Sequence, residues 1–187
     1  FQDAYDEAVY LILHTLALPL DRLDPFLDAC IPGDEREEIF AVIEKRAVER
    51  LPAAYITGEA WLGDFRFEID RNVIIPRSYF AELLQDGFSP WINDPEDVTR
   101  AMDMCTGSGC LAILMAHAFP NAEIVAVDIS PEALEVAARN VAAYGLEDRI
   151  TLILSDGFSA VPEQPFDFIL SNPPYVTAES MNALPAE

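Results

Sequence analysis

Residues 101–109, Ala-Met-Asp-Met-Cys-Thr-Gly-Ser-Gly, are followed by an apolar run at 111–116, and together they give the clearest indication of the fold. The residues before the turn predict a strand, and the run after it predicts a helix. Gly107 and Gly109 permit backbone angles that other residues resist, and they let a ligand lie close to the main chain. The pattern therefore predicts a strand, a glycine-rich turn and a helix.

A second predicted strand, residues 123–127, is followed by Asp128, nineteen residues after Gly109. A carboxylate at this spacing is typical of a nucleotide-binding βαβ unit, where it binds ribose hydroxyls. Dinucleotide sites have a longer motif with a third glycine, and that position is taken here by Ala112, which the motif tolerates. Spacing alone therefore leaves NAD open as the ligand.

Strands and helices alternate through the second half of the chain. Ser130-Pro131 predicts a helix start and Gly145 predicts its end. This alternation predicts a parallel sheet with right-handed crossovers, which binds ligands beyond the carboxyl ends of its strands. Four features fall at those ends: the turn at 107–109, Asp128, Ser155-Asp156 and Asn172. Strands are predicted at 100–104, 123–127, 150–154 and 166–170.

The sequence Asn172-Pro173-Pro174-Tyr175 follows the last of these strands. Two prolines fix the backbone and remove N–H groups, so the loop is stiff and its carbonyls point outward. The Asn172 side-chain oxygen and the Pro173 carbonyl can accept both hydrogens of an –NH2 group, and Tyr175 offers a flat face to cover it. The motif favours a site that methylates a planar nitrogen. An ordinary proline turn is the alternative reading of the motif alone.

The first part of the chain divides into two predicted regions. Residues 1–54 have the apolar periodicity of a small helical bundle, and Asp24-Pro25 predicts a helix start. Residues 55–77 predict a β-hairpin connector with short strands at 60–62, 65–69 and 73–75, and Ser78 is a predicted helix cap. The two apolar stripes predicted in the bundle are Val9, Ile12, Leu13, Leu16 and Ile39, Ile43, Ala47, Leu51.

Composition limits the partners and the compartment. The net charge of −22 should repel nucleic-acid phosphates and would steer the chain toward a basic protein, although it could equally serve solubility. The acidic first residues do not predict a signal peptide, and no apolar run is long enough to cross a bilayer. Cys30, Cys105 and Cys110 have neither disulfide nor zinc spacing, so we expect reduced thiols in apolar surroundings, no metal and a cytoplasmic location.

Four motifs, in this order, resemble the HemK-type protein glutamine methyltransferases: residues 55–58 (YITG), 75–78 (IPRS), 103–109 (DMCTGSG) and 172–175 (NPPY). The resemblance covers essentially the whole chain. It implies S-adenosylmethionine as the cofactor, S-adenosylhomocysteine as the product and a glutamine side-chain amide of a translation protein as the substrate. Release-factor enzymes of the family usually have glycine where this chain has Cys105. The sequence here is more similar to the branch that modifies a large-subunit ribosomal protein; the release factor is the alternative substrate.

The resemblance also implies roles for individual residues. The turn of Cys105, Thr106, Gly107, Ser108 and Gly109 would hold the methionine part of the cofactor, with Asp103 beneath it binding the amino group. Asp128 would bind the ribose. Asp156 and Gly157 would lie against the adenine; relatives often have an aromatic residue at the position of Gly157, for which Ile129 or Phe158 would compensate. The resemblance implies that the substrate is bound by Asn172, Pro173, Pro174 and Tyr175. It implies that the catalytic residues are Asn172, Pro173 and Tyr175.

The expected architecture is an α/β fold with a Rossmann-like class I methyltransferase sheet, carried on residues 78–187. Family members continue past the equivalent of Glu187 with further strands, so we expect the C-terminal strands of the sheet to be absent and the strand ending at Leu170 to lie at an edge. Two other functions stay open. One is methylation of a nucleic-acid amine, and the other is a non-catalytic cofactor-binding or scaffold role.

Overall fold

The computed structural model describes residues 3–174, which divide after Gly58 into two compact units. The first unit is helical and the second is α/β. Their helices and strands are α1 Ala4–Thr15, α2 Gly33–Ala47, α3 Ala53–Thr57, β1 Glu59–Leu62, β2 Phe65–Glu68, α4 Phe80–Gln85, β3 Arg100–Met104, α5 Cys110–Ala118, β4 Glu123–Asp128, α6 Pro131–Ala143, β5 Ile150–Leu154 and β6 Phe168–Ser171.

The helical unit begins where Asp3 caps α1 by accepting hydrogen bonds from the backbone N–H groups of Tyr5 and Asp6. Helices α1 and α2 are joined by an ion pair between Glu7 and Arg46, 2.9 Å apart. Helix α3 belongs to this unit, because the Tyr10 hydroxyl donates to the Thr57 hydroxyl at 3.3 Å. The unit therefore extends to Gly58, whose φ of +74° ends α3, and not only to the predicted boundary at residue 54.

Three details of the predicted bundle differ from the structure. The residues buried on α1 are Leu11 and Leu13, whereas Val9, Ile12 and Leu16 are only half-buried. Helix α1 packs against both α2 and α3, which spreads its buried face beyond a single stripe. The second stripe ends early because α2 stops at Ala47, before Leu51. At Asp24-Pro25 only a single turn of 3-10 helix forms, Asp24–Phe26.

The second unit opens with the predicted hairpin. Strands β1 and β2 pair antiparallel, with Glu59 opposite Glu68 and Leu62 opposite Phe65. Phe67 is fully buried while Arg66 and Glu68 are exposed, as the alternation predicts. The third strand predicted at 73–75 does not form. This segment instead runs in an irregular path with only Val73 and Pro76 buried, because no neighbouring strand offers it a ladder of hydrogen bonds.

The main sheet of the described chain has four parallel strands in the order β5-β4-β3-β6. This confirms the parallel sheet and, to within two residues at each end, the four predicted strands, and it places β6 at an edge of these four strands. Strand β3 is central because it pairs with β4 on one side and with β6 on the other. Its residues from Ala101 to Met104 are all buried. The carboxyl ends of β3, β4 and β6 meet at one edge of the sheet.

Helices α5 and α6 pack on this sheet. Residues 111–116 of α5 are buried all round, which fits the continuous apolar run. Helix α6 begins as predicted, with Ser130 accepting from the Ala133 N–H and Pro131 in the first turn, and the chain leaves it through Gly145 at φ +63°. Among the helices of residues 3–174, none is long and apolar enough to span a membrane.

Candidate active site

A cavity of about 290 Å³ lies at the carboxyl ends of β3, β4 and β6. Four separate parts of the second unit line it. They are residues 72–78, which we call the strap; the glycine-rich turn after β3 with the start of α5; Asp128 to Ser130 after β4; and Asn172 with Pro174 after β6. Three of the four predicted rim features therefore meet around one space, as expected for a parallel sheet.

The glycine-rich turn has an unusual backbone for its sequence. Cys105, Gly107 and Gly109 all have positive φ, at +64°, +56° and +79°. A side chain at Gly109 would place its Cβ 3.1 Å from the Cβ of Ala137 on α6, so this glycine permits close packing of the turn on the helix. At Gly107 a Cβ would meet nothing within 4 Å, because this residue faces the open space of the cavity.

Cys105 occupies a left-handed backbone position that favours glycine. Its thiol is half-buried, and burial raises the pKa of the Cys105 thiol, with a further contribution from the nearby Asp128 carboxylate. The thiol therefore stays protonated at neutral pH and acts as a packing group of the turn.

Asp103 lies beneath the turn and is 0% exposed. Its Oδ2 accepts a hydrogen bond from the Thr106 hydroxyl at 2.6 Å, but its Oδ1 has no hydrogen-bond partner among the described residues. Burial raises the pKa of the Asp103 carboxyl to about 6, and the bond from Thr106 offsets part of this effect. A buried carboxylate oxygen without a donor is costly, so the site suits a cationic group that donates to it.

Asp128 is the acidic residue that β4 carries to the rim. Its Oδ2 accepts from the Gly107 N–H at 2.8 Å and its Oδ1 accepts from the Ser130 N–H at 3.0 Å. These two backbone bonds fix the orientation of the carboxylate, and each oxygen keeps a second lone pair for a ligand. The geometry therefore leaves Asp128 available to accept hydroxyl groups from a molecule in the cavity.

The segment after β5 lies next to Asp128 but outside the cavity. The Ser155 N–H donates to the Asp128 carbonyl at 2.9 Å, and the Ser155 hydroxyl bonds the Gly157 carbonyl. Asp156 and Gly157 are exposed, and the described residues that line the cavity do not include them. Ile129 does line it, with 66% of its surface exposed at the mouth. Of the two residues expected to compensate for the missing aromatic ring, Ile129 is in place at the cavity; Phe158 is exposed and does not line it.

Asn172 and Pro174 line the cavity, and Pro173 between them is exposed. Asn172 makes no hydrogen bond with another described residue, so its amide is available to a ligand. The loop is held at its start, where Ser171 pairs with Met104 in the sheet and its hydroxyl donates to the Met104 carbonyl at 3.1 Å. Tyr175, the predicted covering ring, lies outside the described residues.

Two contributors to the site were not predicted. The strap forms one whole wall, although sequence analysis read residues 73–75 as a strand and assigned residues 75–78 no contact with a ligand. Asn140 on α6 is 1% exposed and its side-chain nitrogen donates to the Ser108 carbonyl at 2.9 Å and to the Glu68 carbonyl at 2.8 Å. It also accepts from the Glu68 N–H at 2.8 Å. A polar residue on the buried face of an otherwise apolar helix was the available signal.

The expectation for the cysteines needs one correction. Cys30 is exposed, because the segment between α1 and α2 buries few of its side chains, whereas Cys105 and Cys110 are largely covered. Burial raises the pKa of the Cys110 thiol to about 12, so it carries no charge at neutral pH. Within residues 3–174 no group of three histidine, cysteine or acidic side chains is arranged to hold a metal ion.

Comparison with known proteins finds similar sequences and similar solved structures. The chain is 60% identical over 185 residues to the ribosomal protein uL3 glutamine methyltransferase of Bordetella pertussis, covering 99% of this chain and 62% of that protein. It is 44% identical over 187 residues to the protein of the same name from Xanthomonas campestris, of which it covers 60%. The solved SAM-dependent methyltransferase from Agrobacterium tumefaciens superposes with a TM-score of 0.48 at 21% identity, over 62% of this chain and 39% of that one. The chain thus spans about three fifths of the length of the relatives it matches.

A family match identifies the domain that carries the cavity. The methyltransferase small domain matches residues 91–185, just over half of the 187 residues. This range contains the glycine-rich turn, Asp128 and the Asn172 loop, three of the four parts that line the cavity. On this match the chain belongs to the methyltransferase small domain family.

Proposed function

We propose that this chain transfers a methyl group from S-adenosylmethionine to the side-chain amide nitrogen of a glutamine in ribosomal protein uL3. The observation that carries the proposal is 60% identity, over 99% of the chain, to proteins named for this activity. The site agrees with it locally, because Asn172 and the glycine-rich turn line one cavity. A nitrogen-holding loop and a cofactor-holding turn on the same space suit transfer between two bound molecules.

The residues around the cavity fit the proposed cofactor. Oδ1 of Asp103 is a buried acceptor without a donor, which suits the ammonium group of an amino acid. Gly107 faces open space with no side chain in the way, so a ligand can lie against the turn. Asp128 has free lone pairs for ribose hydroxyls, and Ile129 offers an apolar surface to the adenine. When bound, S-adenosylmethionine supplies an electrophilic methyl group on a sulfonium.

Asn172 and Pro173 would hold the glutamine amide. The Asn172 side-chain oxygen accepts one amide N–H and the Pro173 carbonyl accepts the other, which directs the nitrogen lone pair into the cavity. The two prolines keep these acceptors in place, since they cannot rotate about φ. Alignment of this kind is worth roughly 7–11 kcal/mol of the barrier, so it can carry most of the rate.

The residues at the cavity supply no strong general base, and the reaction does not require one. An amide nitrogen is weakly basic because its lone pair is delocalised. Once the nitrogen has formed its fourth bond, to the carbon of the transferred methyl group, its N–H protons become very acidic. The exposed position of Asn172 lets that proton pass to water. The chain therefore has to orient the amide and to exclude other directions of approach of its nitrogen to the methyl group.

Charge and location follow from the proposed substrate. A net charge of −22 would attract a basic ribosomal protein and disfavour contact with RNA phosphates. The enzyme would act in the cytoplasm, where ribosomal proteins are made and assembled. Residues 3–58, the helical unit, are the proposed recognition region for the protein substrate, while the cavity of the second unit carries the reaction.

The test uses labelled S-adenosylmethionine and ribosomes or isolated uL3 from cells without the endogenous activity. We expect label in methylglutamine from uL3 after acid-free proteolysis, and no label with Asn172→Ala. Asn121→Ala is the matched control, since Asn121 lies in an exposed loop where its amide donates to the Glu96 carbonyl. Label in a release factor would assign the alternative substrate, and nuclease-sensitive label would assign a nucleic-acid amine; either result overturns the proposal.

A further inference from the structure

Arg77 is the basic residue among those that line the cavity. It lies in the strap and its side chain is exposed at the cavity wall. It makes no hydrogen bond or ion pair with any residue of the described chain. In this respect it differs from Arg46, Arg66 and Arg139, each of which is paired with a glutamate at 2.9 Å or less. A guanidinium at a ligand cavity, without a partner among the described residues, is available to bind an anion.

The position of Arg77 along the strap is fixed at both sides. Pro76 before it is buried and has a restricted φ. After it, the Ser78 hydroxyl accepts from the Phe80 N–H at 3.2 Å, which ties the strap to the start of α4. The main chain of Arg77 is therefore held at the wall, while the side chain can extend into the cavity.

The charges already at the cavity define which anion fits. Asp128 lines it and Asp103 lies beneath it, so the site is acidic apart from Arg77. An amino-acid ligand carries its ammonium and its carboxylate on one carbon atom. If the ammonium meets Asp103, the carboxylate is held close to two acidic side chains, and it needs a cation to offset their repulsion. A planar guanidinium suits this role because it can donate two parallel hydrogen bonds to a carboxylate.

We propose that Arg77 binds the α-carboxylate of the methionine part of the cofactor, opposite the ammonium site at Asp103. This inference rests on the proposed function, since it takes S-adenosylmethionine as the ligand. It assigns to the strap the recognition of the amino-acid end of the cofactor, and it makes Arg77 a residue that distinguishes the intact cofactor from nucleosides without a carboxylate. The competing role is contact with an acidic group of the protein substrate.

The experiment measures binding by calorimetry, without turnover. The ligands are S-adenosylhomocysteine and its decarboxylated analogue, which keeps the ammonium, the ribose and the adenine. The proteins are the wild type, Arg77→Gln, Arg77→Lys and the matched control Arg71→Gln. Arg71 is exposed on the same segment but does not line the cavity, so its loss changes the net charge equally.

We expect Arg77→Gln to weaken the binding of S-adenosylhomocysteine about tenfold, as for the loss of one partly solvated charge-assisted contact. The decarboxylated analogue should bind the wild type and Arg77→Gln equally. Arg77→Lys should recover part of the affinity, and Arg71→Gln should change the affinity for either ligand by no more than about twofold. The tenfold difference should also shrink as the salt concentration rises, because the contact is open to solvent.

Three results overturn the inference, and they differ from one another. Equal weakening of both ligands by Arg77→Gln would mean that Arg77 supports the cavity without contacting a carboxylate. Unchanged binding of both, with a raised KM for the protein substrate, would assign Arg77 to that substrate. No binding of S-adenosylhomocysteine by the wild type would instead refute the proposed function, and this inference with it.

Discussion

The two sides of the cavity are held in different ways. On one side the glycine-rich turn is tied to its surroundings through the Thr106 N–H to the Val127 carbonyl at 2.9 Å, the Gly107 N–H to Asp128 and the Ser108 carbonyl to Asn140. On the other side are the strap and residues 172–174, which we call the open side. There, residues 74–77 and 172–174 make no hydrogen bond with another described residue.

This difference separates two tasks. The turn presents fixed donors and acceptors, which lowers the cost of ordering when a small ligand binds. On the open side, residues 74–77 and 172–174 keep polar groups without a partner among the described residues, and this side is stiffened by Pro76, Pro173 and Pro174. We infer that changes on the turn side should alter folding and cofactor affinity together, whereas changes on the open side should alter ligand recognition or turnover without unfolding the chain.

The largest expected effect is on the open side. Asn172→Ala should lower turnover by about 1,000-fold or more, equal to about 4 kcal/mol, because the amide nitrogen loses its alignment. S-adenosylhomocysteine should still bind within about threefold, and the melting temperature should not change, since Asn172 is exposed and unbonded within the described chain. Single-turnover kinetics and calorimetry on the same sample check this. Equal losses of binding and turnover would place Asn172 in the cofactor site.

The matching change on the turn side is Asn140→Ala. It removes the links from α6 to Glu68 and Ser108, and it leaves the buried Ser108 carbonyl and the part-buried backbone groups of Glu68 without their partner. We expect a loss of about 2–3 kcal/mol in the free energy of unfolding, measured in urea, and weaker binding of S-adenosylhomocysteine. Asn121→Ala is the control, and its free energy of unfolding should be within about 0.5 kcal/mol of that of the wild type. An Asn140→Ala protein of normal stability would mean that the turn does not depend on α6.

Much of this arrangement follows from the sequence. The four strands, the start of α6 at Ser130 and its end before Gly145 were predicted correctly, because each depends on local pattern or capping. The convergence of the turn, Asp128 and Asn172 also follows, since parallel strands bring their carboxyl ends to one edge.

The rest depends on contacts that local sequence does not encode. Val73, Ile74 and Ile75 have strand propensity, but no partner strand is available to them, so they form a wall of the cavity instead. The role of Asn140 depends on its bonds to Glu68 of the hairpin and to Ser108 of the turn, which are distant from it in sequence. The predicted roles of Asp156 and Gly157 stay predictions, and both residues lie outside the cavity lining.

The glycines of the turn allow a sharper division within one side of the cavity. Gly109→Ala would place a Cβ 3.1 Å from the Ala137 Cβ at a φ of +79°, so it combines backbone strain with overpacking. We expect a loss of about 2 kcal/mol in the free energy of unfolding. Gly107→Ala carries the strain alone, about 1 kcal/mol, because nothing lies within 4 Å of its Cβ. Its main effect should be on ligand affinity, since the new methyl group faces the cavity.

Urea unfolding of the two glycine variants, with calorimetry against S-adenosylhomocysteine, tests the division. If Gly107→Ala binds the ligand as the wild type does, the cofactor does not lie against the turn. If both variants lose the same stability, the close approach of Gly109 to α6 has no energetic weight. In either case the contrast between a packed and an open glycine would fail.

The smallest expected effect is a pH dependence of the ligand affinity, which arises from Asp103. Burial raises the pKa of its carboxyl from 3.8 to about 6, so the free protein binds a proton there as the pH falls below about 6. An ammonium group on Oδ1 would favour the ionised form and lower this pKa in the complex. The complex then holds fewer protons than the free protein, so affinity should rise with pH up to about 6 and level off above it.

The slope below pH 6 should approach about tenfold in affinity per pH unit, which calorimetry between pH 5 and 8 would resolve. Asp103→Asn keeps an acceptor for Thr106 but cannot ionise, so its affinity should be low and nearly independent of pH. Folding changes in the opposite sense. A carboxyl with a raised pKa costs stability when it ionises, so the free protein should lose stability as the pH rises from about 4 to about 6. Affinity that rises while stability falls below about pH 6 would link both effects to one buried carboxylate. A pH-independent affinity in the wild type would remove Asp103 from the ammonium site.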